Sequence, residues 1–231
     1  MIPKKIHYCW FGGDRKPKLA KKCIASWHTL MPDYEIIEWN EDNFDVNFNA
    51  YTRMCYEQRK FAFLSDYVRL LMVEKHGGIY FDTDVEAVRP FDDLLTIPAF
   101  FGFENSSYVS TGLGFGGEPH SPVVCQMLEE YVPFLDGQHG VQGCPQLNTQ
   151  ALVKLGLQLN GKKQVLDDGV VFPEDYFNPR NSVTGELKKT KKTYSIHWYM
   201  GSCLTRQQIL RSKISRPFHR IFGMDCFRKM K

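Results

Sequence analysis

The chain has 231 residues, enough for one domain with a sizeable core, and its 43% hydrophobic and 24% charged content is ordinary for a soluble globular protein. A net charge of +3 is too mild to point to nucleic acid, and no apolar run approaches the roughly 20 residues that a membrane span requires. Seven cysteines, at 9, 23, 55, 125, 144, 203 and 226, are scattered, odd in number and without a Cys-X-X-Cys, so neither a zinc site nor a disulfide framework is indicated.

Met1-Ile-Pro-Lys-Lys leads into no apolar h-region, so no signal peptide is expected, and reduced cysteines in a cytosol are the expected setting. Ile6-His7-Tyr8-Cys9-Trp10-Phe11, followed by Gly12-Gly13, predicts a first strand and a glycine turn. In an α/β domain the carboxyl end of that strand faces the ligand crevice. Trp10 is then a candidate platform for a nucleotide base, with a plain core tryptophan as the alternative. Apolar residues at 19, 20, 23, 24, 27 and 30 predict a helix with lysines on its outer face. Residues 34–39 predict the second strand, and Asn40-Glu41-Asp42-Asn43 a polar turn. Residues 47–59 are mixed in composition and predict only a lead into the next helix.

The centre of the chain is 61–86. Residues 61–73 are almost wholly apolar, yet carry Asp66 and Arg69. Spacing of three puts both on one helix face, where they form either a functional pair or a simple intrahelical ion pair. Buried charges need partners. Gly77-Gly78 predicts the left-handed cap that ends this helix, and residues 79–81 predict a core strand. Asp82 and Asp84, two apart, would then share one face at the strand's carboxyl end. Two such carboxylates suit a hard divalent cation that also binds substrate phosphates. Arg69 would add a fixed guanidinium, and Asp66 would accept hydroxyl hydrogen bonds. Each piece alone is a weak signal; their combination is specific.

Beyond Asp84, residues 85–88 predict an extended segment ended by Pro90, and residues 99–104 another strand. Residues 105–117 are rich in Ser and Gly and predict a flexible loop; no helix follows in dinucleotide-binding fashion. Ser121-Pro122 predicts a helix start, filled by 123–132, and Pro145 a second helix that Gly156 stops. Residues 165–166 and 170–172 predict short strands, 181–192 a lysine-rich surface loop, and 194–198 an aromatic strand carrying His197 near its end. The tail, 206–231, holds eight Lys/Arg against one Asp, with apolar residues between them. It predicts either a terminal helix that covers the core or a basic amphipathic segment on an anionic membrane surface.

Ser65-Asp66-Tyr67-Val68-Arg69 and Gly77-Gly78-Ile79-Tyr80-Phe81-Asp82-Thr83-Asp84 resemble the DXD segment of glycosyltransferase family 32. That family includes fungal initiating mannosyltransferases and bacterial capsule and lipopolysaccharide enzymes, and it is similar to the catalytic core of clostridial glucosylating toxins. The resemblance is strong over 2–13 and 61–90, moderate over 194–203 and loose between. It implies an α/β, Rossmann-like GT-A fold, with a mixed, mostly parallel central sheet flanked by helices. Residues 1–205 would form the catalytic domain, with 206–231 as an appended tail. It also implies a nucleotide-sugar donor, retention of anomeric configuration, and Mn²⁺, with Mg²⁺ as the alternative ion.

By the same resemblance, Asp82, Asp84 and His197 are the expected metal ligands. Asp66, Arg69, Asp82 and Asp84 are the expected catalytic set. Cys9 (through its backbone), Trp10, Asn43, Asp66, Arg69, Asp82, Trp198 and Ser202 would bind the donor. UDP-hexose is the preferred donor and GDP-mannose the other candidate. The acceptor would be a glycan or lipid-linked saccharide in cell-surface polysaccharide synthesis, placing the chain in the cytoplasm or at the inner face of the cytoplasmic membrane. The competing readings are an effector that glycosylates a protein, a non-catalytic nucleotide-sugar-binding domain, and a haloacid-dehalogenase-type phosphohydrolase. The last expects Thr or Val two residues past the second Asp, where this chain has Glu86.

Overall fold

The computed structural model describes residues 1–201 and Ser215. In chain order the elements begin with β1 (Lys5–Cys9), α1 (Lys18–Leu30), β2 (Glu35–Trp39), α2 (Ala50–Glu57), α3 (Phe61–His76), β3 (Gly78–Tyr80) and β4 (Val85–Ala87). There follow β5 (Ala99–Asn105), β6 (Tyr108–Val109), β7 (Phe115–Gly117), α4 (Pro122–Glu129) and α5 (Cys144–Lys154). The last are β8 (Gln164–Leu166), β9 (Gly169–Phe172), α6 (Glu174–Phe177) and β10 (Ser195–His197).

The main sheet runs β2-β1-β3-β7-β5-β9-β8, with β6 paired to β5. Strands β2, β1, β3, β5 and β9 point one way, β7 and β8 the other. This is the mixed, mostly parallel sheet that the sequence resemblance implies. Successive strand residues enter opposite apolar layers. Ile6, Ile79, Phe81 and Phe100 pack with Trp27 and Phe177 on one side. Tyr80, Phe101, Phe103 and Phe115 pack with Leu64, Val68, Val73 and Met127 on the other. A sheet covered on both faces has this alternation with no polar side.

Helix α3 lies inside the second layer, with Leu64, Val68, Leu70 and Val73 fully buried. It ends at Gly77, whose φ of 60° favours glycine. A Cβ at that position would also meet the Pro119 ring at 2.6 Å.

Several expectations need correction. Strand β3 stops at Tyr80, so Asp82 and Asp84 do not sit on a strand. They occupy a turn in which the Val85 N–H donates to the Asp82 carbonyl at 2.9 Å. The chain then leaves the main sheet as β4, which pairs antiparallel with β10 and sets His197 opposite Val85. Residues 105–117 are not a flexible loop. They hold β6, a 3₁₀ turn at Thr111–Leu113, and β7 in the middle of the sheet. Their glycines serve close packing: a Cβ on Gly116 would lie 2.5 Å from the Phe100 ring. Residues 47–59 contain the full helix α2, started by a reciprocal cap between Asn49 and Thr52. Helix α4 ends at Glu129 and not at Val132, and Ser121 precedes it without a side-chain cap. The tail expected at 206–231 lies outside the described residues, apart from Ser215.

Candidate active site

Arg69 is the centre of the site's inner wall. It is 2% exposed, yet it carries a full charge. Its Nη2 lies 2.8 Å from Asp66 Oδ1 and 2.9 Å from Asp82 Oδ1. Its Nε donates to the Ser65 carbonyl at 3.0 Å, and its plane lies 4.7 Å from the Tyr80 ring centroid. The Asp66–Arg69 spacing is therefore more than an intrahelical pair: it carries a guanidinium from α3 to the turn after β3. Asp66 also accepts from the backbone of Cys144, at the amino end of α5, where the helix dipole favours a carboxylate. Burial still pushes the Asp66 carboxyl upward against the pull of Arg69.

Asp82 accepts from Arg69 and, at 3.2 Å, from the Tyr80 hydroxyl. Burial raises its carboxyl to about 6; Arg69 opposes that shift and the Asp84 charge adds to it. Asp84 differs. Burial acts upward there too, but His197 and the Met200 N–H hold its carboxyl below the ordinary range. His197 Nε2 lies 3.1 Å from Asp84 Oδ1, and the Met200 N–H donates to Asp84 Oδ2 at 2.6 Å. Burial disfavours the charged His197 ring, and Asp84 outweighs it, so the imidazole is raised.

Asp82, Asp84 and His197 each offer a ligand atom within 4.8 Å of the others. Two carboxylates and an imidazole are a donor set that suits a divalent cation. The neighbouring chain leaves room for this arrangement. Gly112 approaches so closely that a Cβ there would lie 2.4 Å from Asp82 Oδ2 and 3.2 Å from Arg69 Nη1. The donor set fits a hard divalent cation.

The other expected residues fall into place unevenly. Cys9, at the end of β1, is buried beside the Tyr80 hydroxyl, and burial pushes its thiol up to about 12. Trp10 is half-buried, and its indole N–H donates to the Asp14 carbonyl at 2.6 Å. Lys16 Nζ sits 5.5 Å from the centre of its ring. Asn43 closes its own turn: its amide donates to the Glu38 carbonyl at 2.8 Å and its oxygen accepts from the Asn40 N–H at 2.9 Å. Trp198 reaches Asp84 through its main-chain N–H, at 2.9 Å. Its indole is turned to Glu86, at 2.8 Å, beneath Lys22. Ser202 lies outside the described residues.

Sequence reasoning missed Tyr80, Gly112 and the Met200 N–H as parts of the site. Tyr80 stood inside the quoted motif, two residues before Asp82. Gly112 was visible only as one glycine among several.

Residues 17–101 match the family model described as glycosyltransferase sugar-binding region containing DXD motif. Over those residues the chain is similar to this family's sugar-binding region. The match spans Asp66, Arg69, Asp82 and Asp84, whereas Trp10 and His197 lie on either side of it. Inositol phosphoceramide mannosyltransferase 3 of Schizosaccharomyces pombe is 29% identical over 145 residues, 60% of this chain and 39% of that protein. The human alpha-1,4-N-acetylglucosaminyltransferase is 38% identical over 124 residues, 53% of this chain and 32% of that protein. The chain thus spans well under half the length of these curated relatives. Among solved structures, the PaToxG glycosyltransferase superimposes with a TM-score of 0.55 at 21% identity, covering 66% of this chain and 68% of that one. The fold is that of the GT-A glycosyltransferases.

Proposed function

We propose that this chain is a metal-dependent, retaining hexosyltransferase. It would move a hexose from a nucleotide-sugar, a UDP-sugar in preference to GDP-mannose, to a hydroxyl of a glycan or lipid-linked saccharide. The observation that carries this reading is the convergence of Asp82, Asp84 and His197 within 4.8 Å. They meet beside a buried Arg69 at the carboxyl edge of the parallel strands. Bound at those three residues, Mn²⁺ or Mg²⁺ supplies positive charge to a leaving nucleoside diphosphate.

The chain's own groups divide the remaining work. Trp10, its indole pinned by Asp14, offers a fixed face for the base, and the backbone at Cys9 the hydrogen bonds to the base edge. Arg69 holds Asp66 and Asp82 in register and brings a permanent charge next to the diphosphate. Asp66 would orient ribose or sugar hydroxyls. Asn43, Trp198 and Ser202 are the outer members of the donor set. The acceptor oxygen forms a bond to the anomeric carbon as the bond from that carbon to the phosphate oxygen breaks. The hydroxyl proton leaves with the diphosphate oxygen. Attack from the leaving-group side retains configuration and needs no covalent nucleophile.

A role in cell-surface polysaccharide synthesis at the inner face of the cytoplasmic membrane belongs to the same proposal. Residues 206–231 would provide the contact with anionic lipid. Unchanged liposome binding after their deletion removes that part. The transfer itself is tested by incubating the protein with UDP- and GDP-sugars, in Mn²⁺ or in EDTA, and quantifying released nucleoside diphosphate. Release from one donor, lost in EDTA, is the expected result. No release from any donor contradicts the reading.

A further inference from the structure

The side of the site that faces β5 carries polar groups with no task in donor binding. Glu104 stands next to last in β5, at the same sheet edge as Asp82, because β5 and β3 run in the same direction. Its carboxyl is pushed up by burial, with the His197 ring and the Ser110 hydroxyl beside it. Asn178, just past α6, donates its Nδ2 to the Glu104 carbonyl at 2.8 Å. Asn178 is 3% exposed, and its Oδ1 has no hydrogen-bond partner among the described residues. The Tyr199 hydroxyl faces Asn178 and lies near Glu104, and among the described residues it makes no hydrogen bond of good geometry. His197 Nδ1, the ring nitrogen not used on Asp84, likewise has no hydrogen-bond partner among the described residues. Tyr199 is held there with φ at 53° and its ring 4.2 Å from that of His197.

Buried polar atoms left unpaired cost free energy, and native proteins keep few of them. Here they meet in one place, beside the metal-ligand residues. Their chemistry selects a ligand class. A carboxylate and an amide oxygen accept hydrogen bonds, and a phenol donates or accepts. Glu104 and the nearby Glu174 repel a phosphate or carboxylate. The match is a neutral molecule with several hydroxyls. The place is consistent with this: Trp10 lies after β1 and Glu104 in β5, with the Asp82–Asp84 turn after β3, between them in the sheet order.

We propose that Glu104, Asn178 and Tyr199 form the subsite that holds the acceptor saccharide. The assignment to an acceptor rests on the transferase reading above. The test is saturation-transfer difference NMR with UDP and Mn²⁺ present and the methyl glycosides of glucose, galactose, mannose and N-acetylglucosamine as probes. Wild type is compared with Glu104→Gln and Tyr199→Phe, which keep side-chain volume and remove one charge or one hydroxyl. At least one methyl glycoside binds wild type, and each substitution weakens it about tenfold, the scale of one buried hydrogen bond. Binding of no methyl glycoside, or binding that neither substitution changes, overturns the subsite. Quenching of tryptophan fluorescence by UDP in the same samples reports the donor side separately. If UDP fails to bind while a methyl glycoside binds and responds to both substitutions, the subsite stands as a saccharide site and the transferase reading falls.

Discussion

His197 Nε2 lies 3.1 Å from Asp84 Oδ1, joining residues 113 positions apart. The antiparallel pairing of β10 with β4 makes this contact, and the Trp198 N–H to Asp84 carbonyl bond extends it past the strand end. The site is therefore closed by a late segment folded back on the motif turn. A contact of such long range belongs to the tertiary fold rather than to either segment alone.

Arg69 holds two carboxylates while 2% exposed. Arg69→Met leaves Asp66 and Asp82 facing each other without a cation, so urea unfolding should show a loss of about 3–5 kcal/mol. Arg69→Lys should recover only part of this, because an ammonium cannot reproduce the planar fork. Full recovery by lysine would show that position of charge alone suffices.

Gly112→Ala places a methyl group against Asp82 Oδ2. The substitution should cost about 1–3 kcal/mol through overpacking and displace the carboxylate from the metal position. Thermal unfolding with and without Mn²⁺ reads both effects. The shift produced by Mn²⁺ in wild type should shrink in the variant.

Burial lowers His7 to about 4, against the opposing pull of the Gly77 carbonyl, 2.8 Å from Nε2; the Trp39 indole N–H lies 3.1 Å from Nδ1. Nε2–H donates to the carbonyl and Nδ1 accepts from the indole, so the neutral ring satisfies both partners. The unfolded chain binds the proton first, near pH 6.5. Stability from this residue is complete above that value and falls by about 3 kcal/mol as pH drops toward 4. Urea denaturation across that range should show the slope, and His7→Gln should flatten it.

Trp10→Ala removes the proposed base platform. UDP affinity should fall about tenfold, in line with roughly 1–3 kcal/mol per stacked base. Isothermal calorimetry with UDP and Mn²⁺ measures it, and unchanged affinity would move the base elsewhere.

Much of this was legible in the sequence. The α3–glycine–β3 unit announces itself through an apolar run, two charges and Gly77-Gly78. The structure brings Asp82, Asp84 and His197 within 4.8 Å of one another, a grouping expected from the motif and from one late histidine. Other parts were hidden for identifiable reasons. Helix α2 begins with an Asn49–Thr52 cap, and its composition is too mixed for a clear apolar stripe. Residues 105–117 read as a loop because glycine is a turn residue in most contexts. Here Gly112 and Gly116 are small so that Asp82 and Phe100 can approach. Alternation brings residues two apart together and so predicts a strand for the Asp82–Asp84 pair. A turn does so as well, and it also lets the chain switch sheets toward β10.

The central claim is that Asp82, Asp84 and His197 hold one metal ion for the donor's diphosphate. The most direct measurement is Mn²⁺ binding followed by electron paramagnetic resonance, with and without UDP. Wild type is compared with Asp84→Asn and His197→Ala. One Mn²⁺ per chain, bound more tightly when UDP is present and weakened at least about tenfold in both variants, is the predicted result. Absence of Mn²⁺ binding in wild type, or binding that survives both substitutions, would contradict it.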